Sequence, residues 1–207
     1  MRHVSGVILA GGRSRRMGGS PKALLPFAER PLIQHIAETL DARLPDTLVV
    51  TNSPELYAFL GLPMVADVFP EGGSLGGIYS GLRAAPGDAA FCVACDMPFL
   101  SGSLITSLIE RAADADVVVP EAAGELQTLH AVYAKVCLPA MERRLRAGQL
   151  KITGFFDEVR VLRVPEEGVA AFEDPALAFM NLNTPDDLAR ARALWISREV
   201  SHGGRRD

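Results

Sequence analysis

Features that mark special classes of protein are scarce in this chain. It has three cysteines in 207 residues, Cys92, Cys95 and Cys137. That number is small and odd, which excludes a disulfide framework and predicts a reducing, cytoplasmic setting. Cys92 and Cys95 make a C-x-x-C spacing, but within an apolar strand-like run, where residues three apart face opposite sides. A redox pair belongs at a helix N-terminus and a zinc site needs further ligands, so both are read as core thiols. No apolar run approaches the ~18 residues of a membrane span. The first apolar run ends at Gly11-Gly12-Arg13 with no small-residue cleavage site, a poor signal peptide. Basic excess is missing too: the formal net charge is −4, which argues against a nucleic-acid scaffold. Of the four histidines, His130 lies in Gln127-Thr128-Leu129-His130-Ala131 with no serine or cysteine context, so a catalytic triad has no support. The P-loop pattern G-x-x-x-x-G-K-[ST] is absent, because Lys22 is followed by Ala23, and so is G-x-G-x-x-G.

What is present reads as one globular domain. Apolar residues make up 48% and charged residues 22%, and a chain this long buries roughly 70% of its unfolded surface without staples. Strand-like runs at 4–10, 47–51, 64–68, 89–95 and 116–120 alternate with helical periodicities at 32–40, 78–85 and 104–112. Pro31, Ser101 or Ser103, and Pro86-Gly87 mark helix ends. Hydrophobic strands alternating with helices predict a three-layer α/β/α, Rossmann-like fold with a mostly parallel central sheet. After residue 120 the rhythm changes. A strand at 129–134, a helix at 138–146, a strand at 159–164 and a long helix at 186–200 predict added antiparallel pairing, and 201–207 reads as a polar tail.

The richest stretch runs from Leu9 and Ala10 through Gly11, Gly12, Gly18 and Gly19 to Lys22, with Arg13, Arg15 and Arg16 between. Glycines let the backbone turn tightly at the end of a buried strand, and successive N–H groups there form a concavity for anions. With four cations in ten residues, the loop suits a polyphosphate. Ligands in such sheets bind beyond the carboxyl ends of the strands. Asp67 closes the third strand there, and Asp96 closes the fourth, in Cys95-Asp96-Met97-Pro98. A hard carboxylate beside a triphosphate is an expected Mg2+ ligand. A helix cap or turn is the plain alternative for both aspartates. A single carboxylate at Asp67 also offers two acceptor oxygens to the N1–H and N2–H of guanine, a pairing that excludes adenine.

Residues 9–22 resemble L-A-G-G-x-S-x-R-M-G-x-x-K, the signature loop of nucleotidyltransferases with a GT-A-like fold. Three further segments narrow the resemblance to the molybdenum cofactor guanylyltransferases, from Val7 to about Leu194. They are Cys95-Asp96-Met97-Pro98, the glycine segment Gly72 to Leu82 (with Ser74 where the family has proline), and Asn181-Leu182-Asn183-Thr184-Pro185-Asp186-Asp187-Leu188. The resemblance implies GMP transfer from GTP to molybdopterin with Mg2+, and transient contact with proteins that deliver and receive the cofactor. By the same resemblance Arg16, Lys22 and Asp96 are catalytic, with Asp96 on the metal. Leu9, Ala10, Gly11, Gly12, Lys22, Asn52, Asp67, Gly73, Gly77 and Asp96 bind nucleotide, and Lys151, Asn181 and Asn183 face the acceptor. The nucleotide part then spans about 1–120 and the acceptor part about 121–200 of a single domain at 1–200. Asn52 is one residue off the family asparagine, where Thr51 is the tighter match. Asn181 and Asn183 sit one residue apart on a predicted strand end, so one of them, Asn183, faces the cleft. Glycine packing and a solvated lysine stay open as plain readings of 72–82 and Lys151. Pro21-Lys22, where the family often has Asp-Lys, keeps a cytidylyltransferase or another small phosphate-acceptor enzyme in view.

Overall fold

A computed structural model describes residues 2–11 and 21–203. In chain order the elements are β1 (Val4–Leu9), β2 (Pro26–Phe27), β3 (Arg30–Pro31), α1 (Leu32–Asp41), β4 (Thr47–Val50), β5 (Met64–Val65), α2 (Gly73–Ala84), β6 (Ala89–Ala94), α3 (Gly102–Arg111), β7 (Val117–Ala122), β8 (Glu125–Leu126), β9 (His130–Ala134), α4 (Leu138–Arg146), β10 (Val161–Val164), α5 (Glu166–Ala170), α6 (Pro175–Ala178) and α7 (Pro185–Gly203). The main sheet has the order β10-β7-β9-β6-β1-β4-β5, with β8 paired to β7. Along that order neighbours are parallel except at β9, which runs antiparallel to both β6 and β7, and β8 is antiparallel to β7. The chain goes from β1 through α1 to β4 on one side, then returns through α2 to β6 on the other. The sheet therefore splits its winding around β1, and a crevice opens where strand order reverses.

Alternation along the strands sends side chains to two cores. Val4 and Ile8 of β1, Phe91 and Val93 of β6 and Val132 of β9 pack with α1, α3 and α7. Val7, Val50, Cys92, Val119 and Tyr133 pack with α2 and α4 on the opposite face. This is the three-layer arrangement expected from the sequence. Helix ends follow local chemistry. Ser101 Oγ accepts from Leu104 N at 3.3 Å to cap α3. At α7, Thr184 Oγ1 accepts from Asp187 N at 3.1 Å and Asp187 Oδ2 accepts from Thr184 N at 2.9 Å, a reciprocal capping box.

Two elements differ from expectation. The third strand stops at Val65 rather than Val68, because Asp67 turns the chain: its Oδ1 accepts from Phe69 N at 3.2 Å. Helix α2 begins at Gly73 rather than Ile78. Glycine is a poor helix former, yet these glycines let α2 lie directly on the sheet. A Cβ at Gly81 would stand 2.3 Å from Val7 Cγ1 and 3.0 Å from Val50 Cγ2. Gly81→Ala therefore gains a helix former but overpacks a β-branched contact, and the net expectation is a loss of about 1–2 kcal/mol of stability. A denaturant midpoint that rises instead would show that α2 has room to move away.

Candidate active site

The C-terminal ends of β1, β4 and β6 meet at a cavity of about 420 Å³. Chain pairing brings them level: Ala10 N donates to Val50 O at 2.9 Å and Cys95 N to Leu9 O at 3.3 Å. Leu9, Ala10, Gly11, Lys22, Asp67, Gly73, Gly77 and Asp96, all expected to bind nucleotide, line this one cavity. Gly12 and Arg16, also expected there, lie outside the described residues. A larger groove of about 1160 Å³ between α1 and α7 contains none of these residues.

Lys22 is the hub of the polar end. Its side chain is 10% exposed, and its Nζ donates to Asn183 Oδ1 at 2.7 Å and lies 3.5 Å from Asp96 Oδ2. Asp96 caps no helix, since Ser101 serves α3. Burial pushes the Asp96 carboxyl above the usual carboxylate range, and the Lys22 ammonium pulls it part of the way back. The backbone carbonyl of Asp96 accepts from Leu182 N at 2.9 Å, which fastens the segment before α7 across the end of β6. That segment is irregular rather than a strand end. It still brings Asn183 to Lys22, whereas Asn181 bonds Phe179 O at 3.1 Å, and both asparagines are exposed. Asn52, Lys151, Asn181 and Asn183 do not line the cavity, and Lys151 stands exposed beyond α4.

At the other end, Asp67 is fixed from three directions. Asn52 Oδ1 accepts from Asp67 N at 2.9 Å, and Asp67 Oδ1 accepts from Ser80 Oγ at 2.8 Å and Phe69 N at 3.2 Å. Two donors fill Oδ1, so the two-oxygen pairing expected from the sequence would have only Oδ2 free to accept among the described residues. Thr51, the tighter match to the family asparagine, is buried, and its Oγ1 accepts from Ser53 N at 3.1 Å as a turn residue.

The other candidate nucleophiles and bases are quiet. Burial pushes the Cys95 thiol up to about 12, and burial raises Cys92 further still. His130 is fully buried, held down to about 3 by desolvation, and has no hydrogen-bond partner on either ring nitrogen among the described residues. It is a neutral core residue. Sequence reasoning missed Tyr57 and Ser80. Tyr57 lines the cavity and its hydroxyl approaches Ala10 O at 3.5 Å. Neither stands in a polar motif, so no sequence signal marks them.

Residues 6–162 match the family model of the MobA-like NTP transferase domain. A probable molybdenum cofactor guanylyltransferase of Pelotomaculum thermopropionicum is 41% identical over 205 residues, covering 99% of this chain and 98% of the relative. The molybdenum cofactor guanylyltransferase of Desulfosudis oleivorans is 37% identical over 199 residues, covering 96% and 98%. The chain belongs to this family. Among solved structures, molybdopterin-guanine dinucleotide biosynthesis protein A of Archaeoglobus fulgidus superposes with a TM-score of 0.82 at 26% identity, over 93% of this chain and 99% of that one. This molybdenum cofactor guanylyltransferase family member is thus a nucleotidyltransferase enzyme. The family model spans Lys22, Asp67 and Asp96 but ends before Asn183, which enters the site from the C-terminal segment 161 positions away from Lys22.

Proposed function

We propose that this enzyme transfers GMP from GTP to the phosphate of molybdopterin, releasing pyrophosphate. The observation that supports it most is the cavity lined by Lys22 and Asp96 as well as Asp67, with Asn183 bonded to Lys22 from outside its lining. Such an arrangement separates a phosphate end from a base end. Lys22 and the glycine loop, with Arg16, take the β- and γ-phosphates. Asp67 Oδ2 and the amide of Asn52 take the guanine edge. Asn183 borders the acceptor side, where molybdopterin enters.

A phosphate-monoester acceptor has a second pKa of ~6 and is already mostly an ionised nucleophile at neutral pH. The protein then needs to position the acceptor in line with the α-phosphorus and neutralise charge, and needs no base. The inert thiol of Cys95 and the buried neutral ring of His130 agree with that. The new bond joins an acceptor phosphate oxygen to the α-phosphorus, and the bond between the α-phosphorus and its bridging oxygen breaks. Lys22 neutralises charge on the departing pyrophosphate.

The residues present suit Mg2+. That ion is held by one or two carboxylates plus substrate phosphates, and Asp96 Oδ2 and Asn183 Oδ1 are hard oxygens converging on one ammonium. When bound there, the ion would polarise the α-phosphate. The three cysteines are free, which agrees with a cytoplasmic setting, and no helix among the described residues is long and apolar enough to cross a membrane. Proteins that deliver molybdopterin and receive the product are the expected transient partners.

Thermal shifts with GTP, CTP, UTP and ATP, each with Mg2+, test base choice. At a hundredfold excess over Kd a ligand adds ~2.7 kcal/mol, or about 5–10 °C for a chain this long. GTP alone is expected to give that rise, and a rise confined to CTP would replace guanine by cytosine.

A further inference from the structure

Ser80 has no place in the chemistry above, yet its hydroxyl is within hydrogen-bond reach of three groups. It lies in the middle of α2, 2% exposed, below the floor of the cavity. Its Oγ is 2.8 Å from Asp67 Oδ1 and 2.7 Å from Gly76 O, and it accepts from Val68 N at 2.9 Å. A serine inside a helix usually bonds back to the carbonyl four residues earlier and goes no further. Here a carboxylate from another element is within reach of the same proton, and the charged acceptor makes the stronger bond.

The consequence falls on Asp67. Phe69 N and Ser80 Oγ together fill both lone pairs of Oδ1, which fixes the rotation of the carboxylate about its last bond. Oδ2 takes no hydrogen bond among the described residues, and Asp67 lines the cavity. The loop sits this close because α2 opens with glycine: a Cβ at Gly76 would lie 2.8 Å from Phe69 O and 3.3 Å from Asp67 Oδ1. Bare backbone at Gly76 and the hydroxyl at Ser80 thus act on the same loop from one helix face, four residues apart.

We propose that Ser80 is a positioning residue for nucleotide binding: by holding Oδ1 it aims Oδ2 of Asp67 at the N–H edge of the base. Ser80 touches no substrate and acts through Asp67 alone. The inference rests on the assignment of Asp67 to the base end of the site.

Steady-state kinetics with GTP on the full-length enzyme, for Ser80→Ala, Asp67→Asn and the double variant, test it. Loss of a hydrogen bond to a charged group predicts a rise in KM for GTP of about tenfold in Ser80→Ala, with kcat within about twofold. In the Asp67→Asn background the same change is expected to add less than about twofold, because the group it positions has gone. Ser80→Cys, which keeps the volume and loses the strong donor, repeats the measurement if the alanine variant melts early. If Asp67→Asn raises KM and neither Ser80 variant does, the positioning role is wrong while the base assignment stands. Effects that simply multiply in the double variant also overturn the role. If Asp67→Asn leaves KM unchanged, the base assignment itself fails.

Discussion

Lys22→Ala is expected to lower turnover by ~100-fold or more while the protein still melts cooperatively. Two losses combine. The ammonium proposed to neutralise the departing pyrophosphate is gone, and an alanine has no polar atom to replace it. The Asp96 carboxylate also loses the cation that stands 3.5 Å from it among the described residues. That carboxyl is already pushed up by burial, with Lys22 as the opposing influence, so removing Lys22 raises it further. The sign follows directly. A raised carboxyl favours the protonated form in the folded protein, so ionising it costs stability as pH rises through the folded value. Lys22→Ala should therefore be least stable, relative to the parent, on the alkaline side of that transition, and should recover toward low pH. Pyrophosphate release and melting curves across pH report the two effects separately. A rate within about threefold of the parent would remove Lys22 from the phosphate end of the site.

The sequence exposes the parts of this site that are continuous in the chain. Apolar runs such as Ala89–Ala94 are buried on both faces and read directly as central strands. Glycines after β1 and the aspartate after β6 then fall at carboxyl ends by arithmetic. Contacts between distant segments are harder to see. Asn183 was favoured over Asn181 on strand alternation, yet the segment is no strand. What brings it to Lys22 is the bond from Leu182 N to Asp96 O, invisible without the fold. The sequence singles out Asp67, which lines the cavity, but not its orientation, because Ser80 inside an apolar helix carries no signal. The β2–β3 hairpin escaped for a local reason. Its turn places Ala28 and Glu29 at positive φ, 44° and 68°, where a reader looks for glycine or asparagine. The antiparallel pairing expected after residue 120 falls at β9, but its insertion between β6 and β7 is not written in the chain, since pairing partners are chosen across the sheet.

Asp96→Asn isolates charge from shape at the other half of the pair. The amide keeps the volume and an oxygen toward Lys22, whose bond to Asn183 Oδ1 is untouched. It also removes an ionised group that burial disfavours, so the fold is expected to be as stable as the parent to within about 1 kcal/mol. Activity should behave in the opposite way. A neutral amide oxygen is a weak partner for a hard divalent cation, and charge on the α-phosphate goes unbalanced, so turnover is expected to fall ~1,000-fold. A merely weakened metal site would recover as Mg2+ is raised into the tens of millimolar range. A site that has lost its only carboxylate at this position should not. Titrating Mg2+ at saturating GTP distinguishes the two. If Asp96→Asn retains parent-like turnover at ordinary Mg2+, the carboxylate holds no ion and serves only to seat Lys22. In that case Asn183 and the substrate phosphates would have to carry the cation by themselves.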